Sequence, residues 1–179
     1  MTAAQRIVDF WQQAGPDCWF TRSDAFDARC EALFLDDHLR ASRGEFADWA
    51  DSATGALALV LLLDQIPRNV YRESAHAYAT DGLARAHADR AVEAGFDAQV
   101  DPALRVFFYL PFEHSESLAD QRRSLELHAR LEGPDADRWA RLHLDIIERF
   151  GRFPHRNAAL GRVTTPEEQA FLDSGGFAG

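Results

Sequence analysis

Three short polar segments of this sequence combine the residue types that bind anions or transfer protons. Each segment contains a proline. The segments are DQIPRN at 64–69, YLPFEHSES at 109–117 and RFGRFPHRN at 149–157. A carboxylate beside an imidazole can exchange protons near neutral pH, and arginine forks bind carboxylate or phosphate groups. The candidate functional residues therefore lie in these segments.

The first segment follows the most hydrophobic stretch of the chain. Every residue of Ala56–Leu63 is apolar, so a helix through it has no face suited to water and has to lie inside a core. Pro67 has no backbone N–H and disfavours helical geometry at Ile66, which predicts a helix end here and carbonyls near Leu63 without their usual partners.

Asp64, Arg68 and Asn69 are the polar side chains at this break. A carboxylate beside such a hydrophobic helix has to be paired, because an isolated buried charge is too costly to keep. One interpretation is structural: the three side chains satisfy the freed carbonyls and one another. The other is that they contribute to a ligand-binding site, since strongly paired charges also occur at functional sites.

The second segment places Glu113, His114 and Glu116 after an aromatic stretch that includes Tyr109 and is interrupted by Pro111. Glu113 and His114 are candidate catalytic residues for acid–base chemistry, with Tyr109 and Glu116 as candidate ligand contacts. The alternative is that the acidic side chains only stabilise the start of the next helix. No second histidine lies at a spacing typical of metal ligands, so no metal or cofactor is predicted.

The third segment is the densest positive patch of an acidic chain. Its candidate ligand-binding residues are Arg152, His155, Arg156 and Asn157, whose donors suit a carboxylate or phosphate. The alternative is that these arginines neutralise the carboxylates of the other two segments. The remaining histidines lie singly on predicted helices and are interpreted as surface or packing residues: His38, His76, His87, His128 and His143.

Composition limits the classes of partner. The formal net charge is −10, which argues against nucleic-acid or acidic-membrane binding. No apolar run approaches the roughly 20 residues that cross a bilayer, and the first residues lack a signal-peptide pattern, so a cytoplasmic location is expected. Residues 1–179 are expected to form a single domain, since 179 residues can enclose one substantial core.

Helix start and stop signals recur along the chain, and no segment alternates as a strand does. Helices are predicted to begin at the caps Thr2, Ser23 or Asp24, Ser74, Ser117 and Thr165, and another at Asp101-Pro102. The sequence therefore predicts an all-α fold, a compact antiparallel helical array around a buried central helix. The final Gly-rich residues are expected to fray.

Several long motifs resemble one bacterial protein family. They are ALALVLLLDQIPRNVYR, FFYLPFEHSESLADQ and IIERFGRFPHRNAALGR, followed by TPEEQAFL and GGFAG. They are similar to the domain-of-unknown-function family numbered nine hundred and twenty-four, over nearly the whole chain and without a departure in these segments. The resemblance implies a helical fold related to tetratricopeptide-repeat proteins, and it implies no activity or ligand.

Three functions remain open from the sequence. The first is a binding module that holds a small anion or an acidic peptide group. The second is an enzyme with Glu113 and His114 as acid and base, and Arg152 or Arg156 orienting an anionic substrate. The third is a purely structural role for the polar segments. The sequence also predicts that Asp64, His114 and His155 come together in space, and it leaves the oligomeric state undetermined.

Overall fold

A computed structural model describes residues 1–177, and their regular structure is helical, with no strand among them. The α-helices are α1 (Ala3–Ala14), α2 (Pro16–Trp19), α3 (Asp24–Ser42), α4 (Ala53–Val60), α5 (Ile66–Val70), α6 (Asp81–Glu93), α7 (Leu110–Glu113), α8 (Leu118–His128), α9 (Arg138–Phe150) and α10 (Pro166–Asp173). Shorter 3₁₀ helices span Ala47–Asp51, Ala75–Tyr78, Phe96–Gln99, Pro102–Phe108 and Pro154–Arg156, and a π-helix spans Leu61–Gln65. The predicted all-α class is confirmed. Along the described residues, no helix combines the length and apolar character that spanning a membrane requires.

Side-chain caps set several helix starts. The hydroxyls of Thr2, Ser23 and Ser52 each accept a hydrogen bond from the backbone N–H three residues later. At α10, Thr165 and Glu168 exchange side-chain and backbone bonds in a capping box. These bonds satisfy N–H groups that the first helical turn leaves unpaired, which is why the sequence could locate the starts at Thr2, Ser23 and Thr165.

Two predicted helices differ in the structure. The helix expected from Ser74 begins only at Asp81. Glu73 adopts a positive φ of 62°, a left-handed conformation that does not continue into a right-handed helix, and a 3₁₀ turn follows it. The segment Pro102–Phe108 is a 3₁₀ helix rather than an α-helix.

The chain packs as two compact units. The first comprises residues 1–72 and 76–111, and the second comprises residues 73–75 and the chain from residue 112 onward. In the first unit, α1, α3 and α6 pack against the continuous helical segment from α4 to α5. Residues 55–66 of that segment are all buried, so the predicted buried central helix is confirmed. The single-domain and tetratricopeptide-like assignments stay predictions.

The central helix does not end at Pro67, contrary to the sequence prediction. Ile66 keeps helical geometry, with φ −56° and ψ −47°, and α5 continues to Val70. The chain accommodates the proline by widening into the π-helix Leu61–Gln65 just before it. π-Helical turns are rare, and they occur frequently at functional sites.

Two side chains from elsewhere in the first unit bond the carbonyls of the π-helix. The Thr80 hydroxyl donates to the Leu63 carbonyl at 2.6 Å, and Nδ1 of His38 donates to the Leu62 carbonyl at 2.8 Å. Proline leaves the carbonyl four residues earlier without its helical donor, and Thr80 supplies a replacement. His38 is therefore a buried structural histidine.

The second unit is built around α8, α9 and the segments that follow them. Helix α8 packs against α9, and α10 packs against the 3₁₀ turn Pro154–Arg156. Ile146, Ile147 and Phe153 form a buried apolar cluster there. This packing positions the second and third polar segments.

Candidate functional site

The first polar segment lies in the first unit, where Arg68 joins two carboxylates. Its Nη1 donates to Asp81 at 2.8 Å and lies 3.2 Å from Oδ1 of Asp64, while Nη2 donates to the other Asp81 oxygen at 3.0 Å. Nη1 also donates to the Asp64 backbone carbonyl at 2.7 Å. Burial alone would lower the pKa of Arg68, but the attraction of Asp64 and then Asp81 raises it above its usual range. The guanidinium is thus held as a structural cation.

Asn69 and Tyr109 also make internal contacts in the first unit. The Asn69 amide donates to the Gln65 carbonyl at 3.0 Å, one turn back along the helix. The Tyr109 hydroxyl donates to the Asp97 carboxylate at 2.6 Å, and both side chains are buried. These bonds are those expected of a structural role, and a ligand role for Asp64, Arg68, Asn69 and Tyr109 stays a prediction.

The second and third polar segments meet in the second unit. Nη1 of Arg156 donates to the His114 carbonyl at 2.9 Å. Glu116 accepts the Phe153 N–H at 2.8 Å and forms an ion pair with Arg162 at 2.7 Å. The predicted meeting of these two segments is therefore confirmed. The convergence of Asp64 with them stays a prediction, because Asp64 belongs to the other unit.

Glu113 lies between two histidines that were predicted to be surface or packing residues. Oε2 of Glu113 is 3.3 Å from Nε2 of His128, and Oε1 is 3.4 Å from Nδ1 of His143. Glu113 is only 4% exposed, and both imidazoles are buried. Helices α8 and α9 each contribute one histidine to this carboxylate. We call Glu113, His114, His128, His143, His155 and Arg156 the histidine cluster.

The helical spacing of α9 contained a signal for His143. It follows Ala140 by three residues and precedes Ile146 by three and Ile147 by four, so it falls on the same apolar face. A histidine at that position is directed inward unless the helix face is exposed. For His128 the neighbouring positions gave a weaker signal, since Gln121 and Ser124 share its buried face.

The imidazoles of His128, His143 and His155 are neutral at neutral pH. Burial lowers the pKa of His143 to about 4, against a smaller opposing effect of its bond to the Trp139 carbonyl. Burial, and then the nearby Arg156 charge, lower the pKa of His155 to about 3. Burial also lowers the pKa of His128. These side chains therefore offer one donor and one acceptor each.

Two phenylalanines enclose the imidazoles. The Phe153 ring centroid is 5.4 Å from that of His143, and the Arg156 guanidinium carbon lies 4.4 Å from the Phe153 centroid. The Phe177 ring covers His143 at 4.6 Å and His155 at 5.3 Å.

The terminal motif GGFAG was expected to fray, yet its Phe177 packs on the cluster. A Cβ at Gly176 would lie 2.6 Å from the Phe171 carbonyl oxygen, so the turn before Phe177 needs a glycine there. Ala178 and Gly179 lie outside the described residues.

Glu168 accepts hydrogen bonds from Arg152 and Asn157, the remaining predicted ligand residues. It accepts from Nε and Nη2 of Arg152 at 2.5 and 2.8 Å, from the Asn157 amide at 3.1 Å and from the Thr165 N–H at 2.8 Å. The Arg152 bond is the main cause that lowers the pKa of Glu168 to about 2. Arginines of this region do neutralise carboxylates, as the alternative interpretation held. The Arg152 partner is Glu168, which was not among the carboxylates considered.

Within residues 1–177, no group of three or more His, Cys, Asp and Glu side chains is placed to hold a metal ion. The cluster can bind through imidazole and guanidinium donors, and it can hold a proton at Glu113.

The protein is thus an all-helical chain whose second unit contains a buried histidine–carboxylate cluster. It belongs to the family described as "Bacterial protein of unknown function (DUF924)", which matches residues 7–176. It is similar to the solved structure of a protein of unknown function from Agrobacterium tumefaciens, with 52% identity and a TM-score of 0.92. That likeness covers 96% of this chain and 97% of the other. No curated protein matches the sequence.

Proposed function

We propose that this chain is a binding protein for a small anionic group, and that the ligand contacts the histidine cluster through His155 and Arg156. The observation that carries the proposal is the state of His155. Its Nδ1 is buried and has no hydrogen-bond partner among residues 1–177. Buried polar atoms in folded proteins are nearly always bonded, so an imidazole nitrogen in this state favours a ligand partner.

The neighbouring Arg156 makes an anion the favoured ligand. Arg156 as a whole residue is 6% exposed, and its guanidinium stacks on Phe153 and donates through Nη1 to the His114 carbonyl. An arginine positioned in this way presents its fork in a fixed orientation, at a low conformational cost for each bond formed. Carboxylate and phosphate oxygens accept from both guanidinium and imidazole N–H groups.

The other predicted ligand residues of the second unit serve as the frame of this site. Arg152 and Asn157 are held by Glu168, and Glu116 is held by Arg162 and the Phe153 N–H. Phe177 covers both His143 and His155, so it is the side chain that an entering ligand would displace. The proposal requires neither a metal nor a cofactor.

A second candidate is an acid–base enzyme acting on an anionic substrate. The observation that favours it is the placement of Glu113 against two imidazoles, at 3.3 and 3.4 Å. This arrangement suits proton transfer better than the predicted pairing with His114 alone. It requires the reacting atom to come within hydrogen-bond reach of a carboxylate that is 4% exposed.

The binding proposal is tested by titrating ¹³C-histidine-labelled protein with inorganic phosphate, succinate and an N-acetylated Asp–Glu dipeptide. We expect at least one probe to shift the His155 signal saturably. Arg156→Ala should weaken that binding by about tenfold or more, the effect of losing one charge-assisted hydrogen bond.

The matched control is Arg141→Ala, which removes the same charge from an exposed side chain of α9. It should leave the dissociation constant unchanged. Arg156→Lys keeps the positive charge but lacks the guanidinium fork. It is the variant to test if Arg156→Ala does not fold. The proposal fails if no probe shifts His155, or if Arg141→Ala weakens binding as much as Arg156→Ala.

A further inference from the structure

Glu113 and His128 face each other in the interior of the second unit. Oε2 of Glu113 lies 3.3 Å from Nε2 of His128, and the two side chains are 5% and 3% exposed. Whether this contact is attractive depends on where the protons are, because each of the two atoms carries a lone pair in its unprotonated form.

The other nitrogen of His128 settles which tautomer the imidazole adopts. Its Nδ1 lies 2.9 Å from the Ser124 backbone carbonyl, within the same helix. A carbonyl oxygen can only accept, so Nδ1 must carry the hydrogen and donate it. The Ser124 hydroxyl at 3.2 Å is a further neighbour of the same nitrogen. In a neutral imidazole, the nitrogen facing Glu113 is therefore the unprotonated one.

An ionised carboxylate facing an unprotonated nitrogen in a buried site is unfavourable. Two acceptors would meet without a hydrogen between them, and the carboxylate would also carry the cost of burial. One additional proton removes both problems. Placed on Oε2 it turns Glu113 into a donor to Nε2, and placed on Nε2 it creates an imidazolium that pairs with the carboxylate.

We propose that Glu113 and His128 hold one proton between Oε2 and Nε2, so that the two residues form a single buried acid–base pair. The proton rests on Oε2 of Glu113, because burial disfavours both charged forms and this placement has neither. The pair carries no net charge in either placement. The inference does not depend on the proposed anion site, although a neutral pair would not repel an anion bound nearby.

Other charged and titratable groups surround the pair from each neighbouring element. From α9, Nδ1 of His143 lies 3.4 Å from Oε1 of Glu113, and it donates to the Trp139 carbonyl at 2.8 Å. The other groups that act on His128 or His143 are His114, Asp137, His155 and Arg156. Asp137 raises the pKa of His128 and Arg156 lowers that of His143, so these two charges shift the balance between the two placements of the proton in opposite directions.

Nuclear magnetic resonance of the full chain labelled with ¹⁵N-histidine tests the inference without any ligand. At pH 7 we expect His128 to show a protonated Nδ1 and an unprotonated Nε2, together with an infrared band of a protonated carboxyl group that Glu113→Gln abolishes. These two results together place one proton in the pair, on Glu113. A neutral His128 protonated only at Nε2, or a neutral His128 with no protonated carboxyl band, would overturn the inference.

Two substitutions at residue 113 provide an independent readout. Glu113→Gln supplies an amide N–H in place of the shared proton, so its melting temperature should stay within about 2 °C of the wild type. Glu113→Ala removes the donor and leaves a gap, so it should melt at least about 5 °C lower. Equal destabilisation by both substitutions would show that Glu113 acts as an ionised acceptor, which contradicts a shared proton.

Discussion

Replacing Arg68 with alanine is expected to lower the free energy of unfolding by about 3–5 kcal/mol, the cost of removing one partner from a buried ion pair. The substitution takes away the guanidinium that Asp64 and Asp81 share. The Asp64 side chain is fully buried, so water cannot take the place of that charge. Chemical denaturation of the purified chain measures the loss.

The control for this prediction is an ion pair of similar length at the surface. Arg90 lies 2.8 Å from Asp51, but the two side chains are 64% and 71% exposed. Arg90→Ala should change the free energy of unfolding by less than about 0.5 kcal/mol. If Arg68→Ala lowered the free energy of unfolding by no more than Arg90→Ala does, the first polar segment would not be the structural network that its contacts indicate.

Replacing Phe153 with alanine is expected to cost about 3–5 kcal/mol of the free energy of unfolding. Phe153 is fully buried, packs with Ile146 and Ile147, and supports both His143 and Arg156 through its ring. Its removal creates a cavity at the centre of the second unit, and the imidazoles should lose their fixed positions. Denaturation gives the energy, and the histidine signals report the change at the site.

Phe153→Leu is the matched variant, because it refills most of the volume without the aromatic face. It should cost about 1–1.5 kcal/mol, as shape-changing swaps between apolar residues do. It should still remove the cation–π contact of Arg156, since the guanidinium loses the aromatic ring on which it stacks. Equal stability of Phe153→Ala and the wild type would contradict the packing described for this unit.

The fold could be predicted largely from local patterns. An unbroken apolar run such as Ala56–Leu63 has to be enclosed by other helices, and the capping hydroxyls of Thr2 and Thr165 act within four residues of their own position. Such signals need no knowledge of distant parts of the chain. The segment around Pro67 was misjudged because its helical geometry depends on Thr80, which a local pattern cannot reveal.

The site could be predicted only in part for the same reason. Glu113, His155 and Arg156 were recognised because they lie in dense polar segments. His128 and His143 were set aside because each stands alone in the sequence, and only the packing of α8 against α9 brings them to Glu113. Glu168 was missed as an arginine partner, since it lies outside the three polar segments.

Enclosure of the imidazoles has a consequence for the pH dependence of stability. The pKa values of His143 and His155 are lowered by burial, so the unfolded chain takes up protons near pH 6.5 where the folded chain does not. Stability should therefore be fully present above about pH 6.5 and should fall as the pH drops toward 4.

The central claim is that these imidazoles form one closed cluster in the second unit, and the pH titration of their individual nuclear magnetic resonance signals tests it most directly. We expect His143 to stay neutral until the pH approaches about 4, and His155 until it approaches about 3. A histidine-containing model peptide serves as the reference, since an unperturbed imidazole titrates near pH 6.5. If His143 and His155 titrated together with that reference, the cluster would be open to water and the site proposed for it would be wrong.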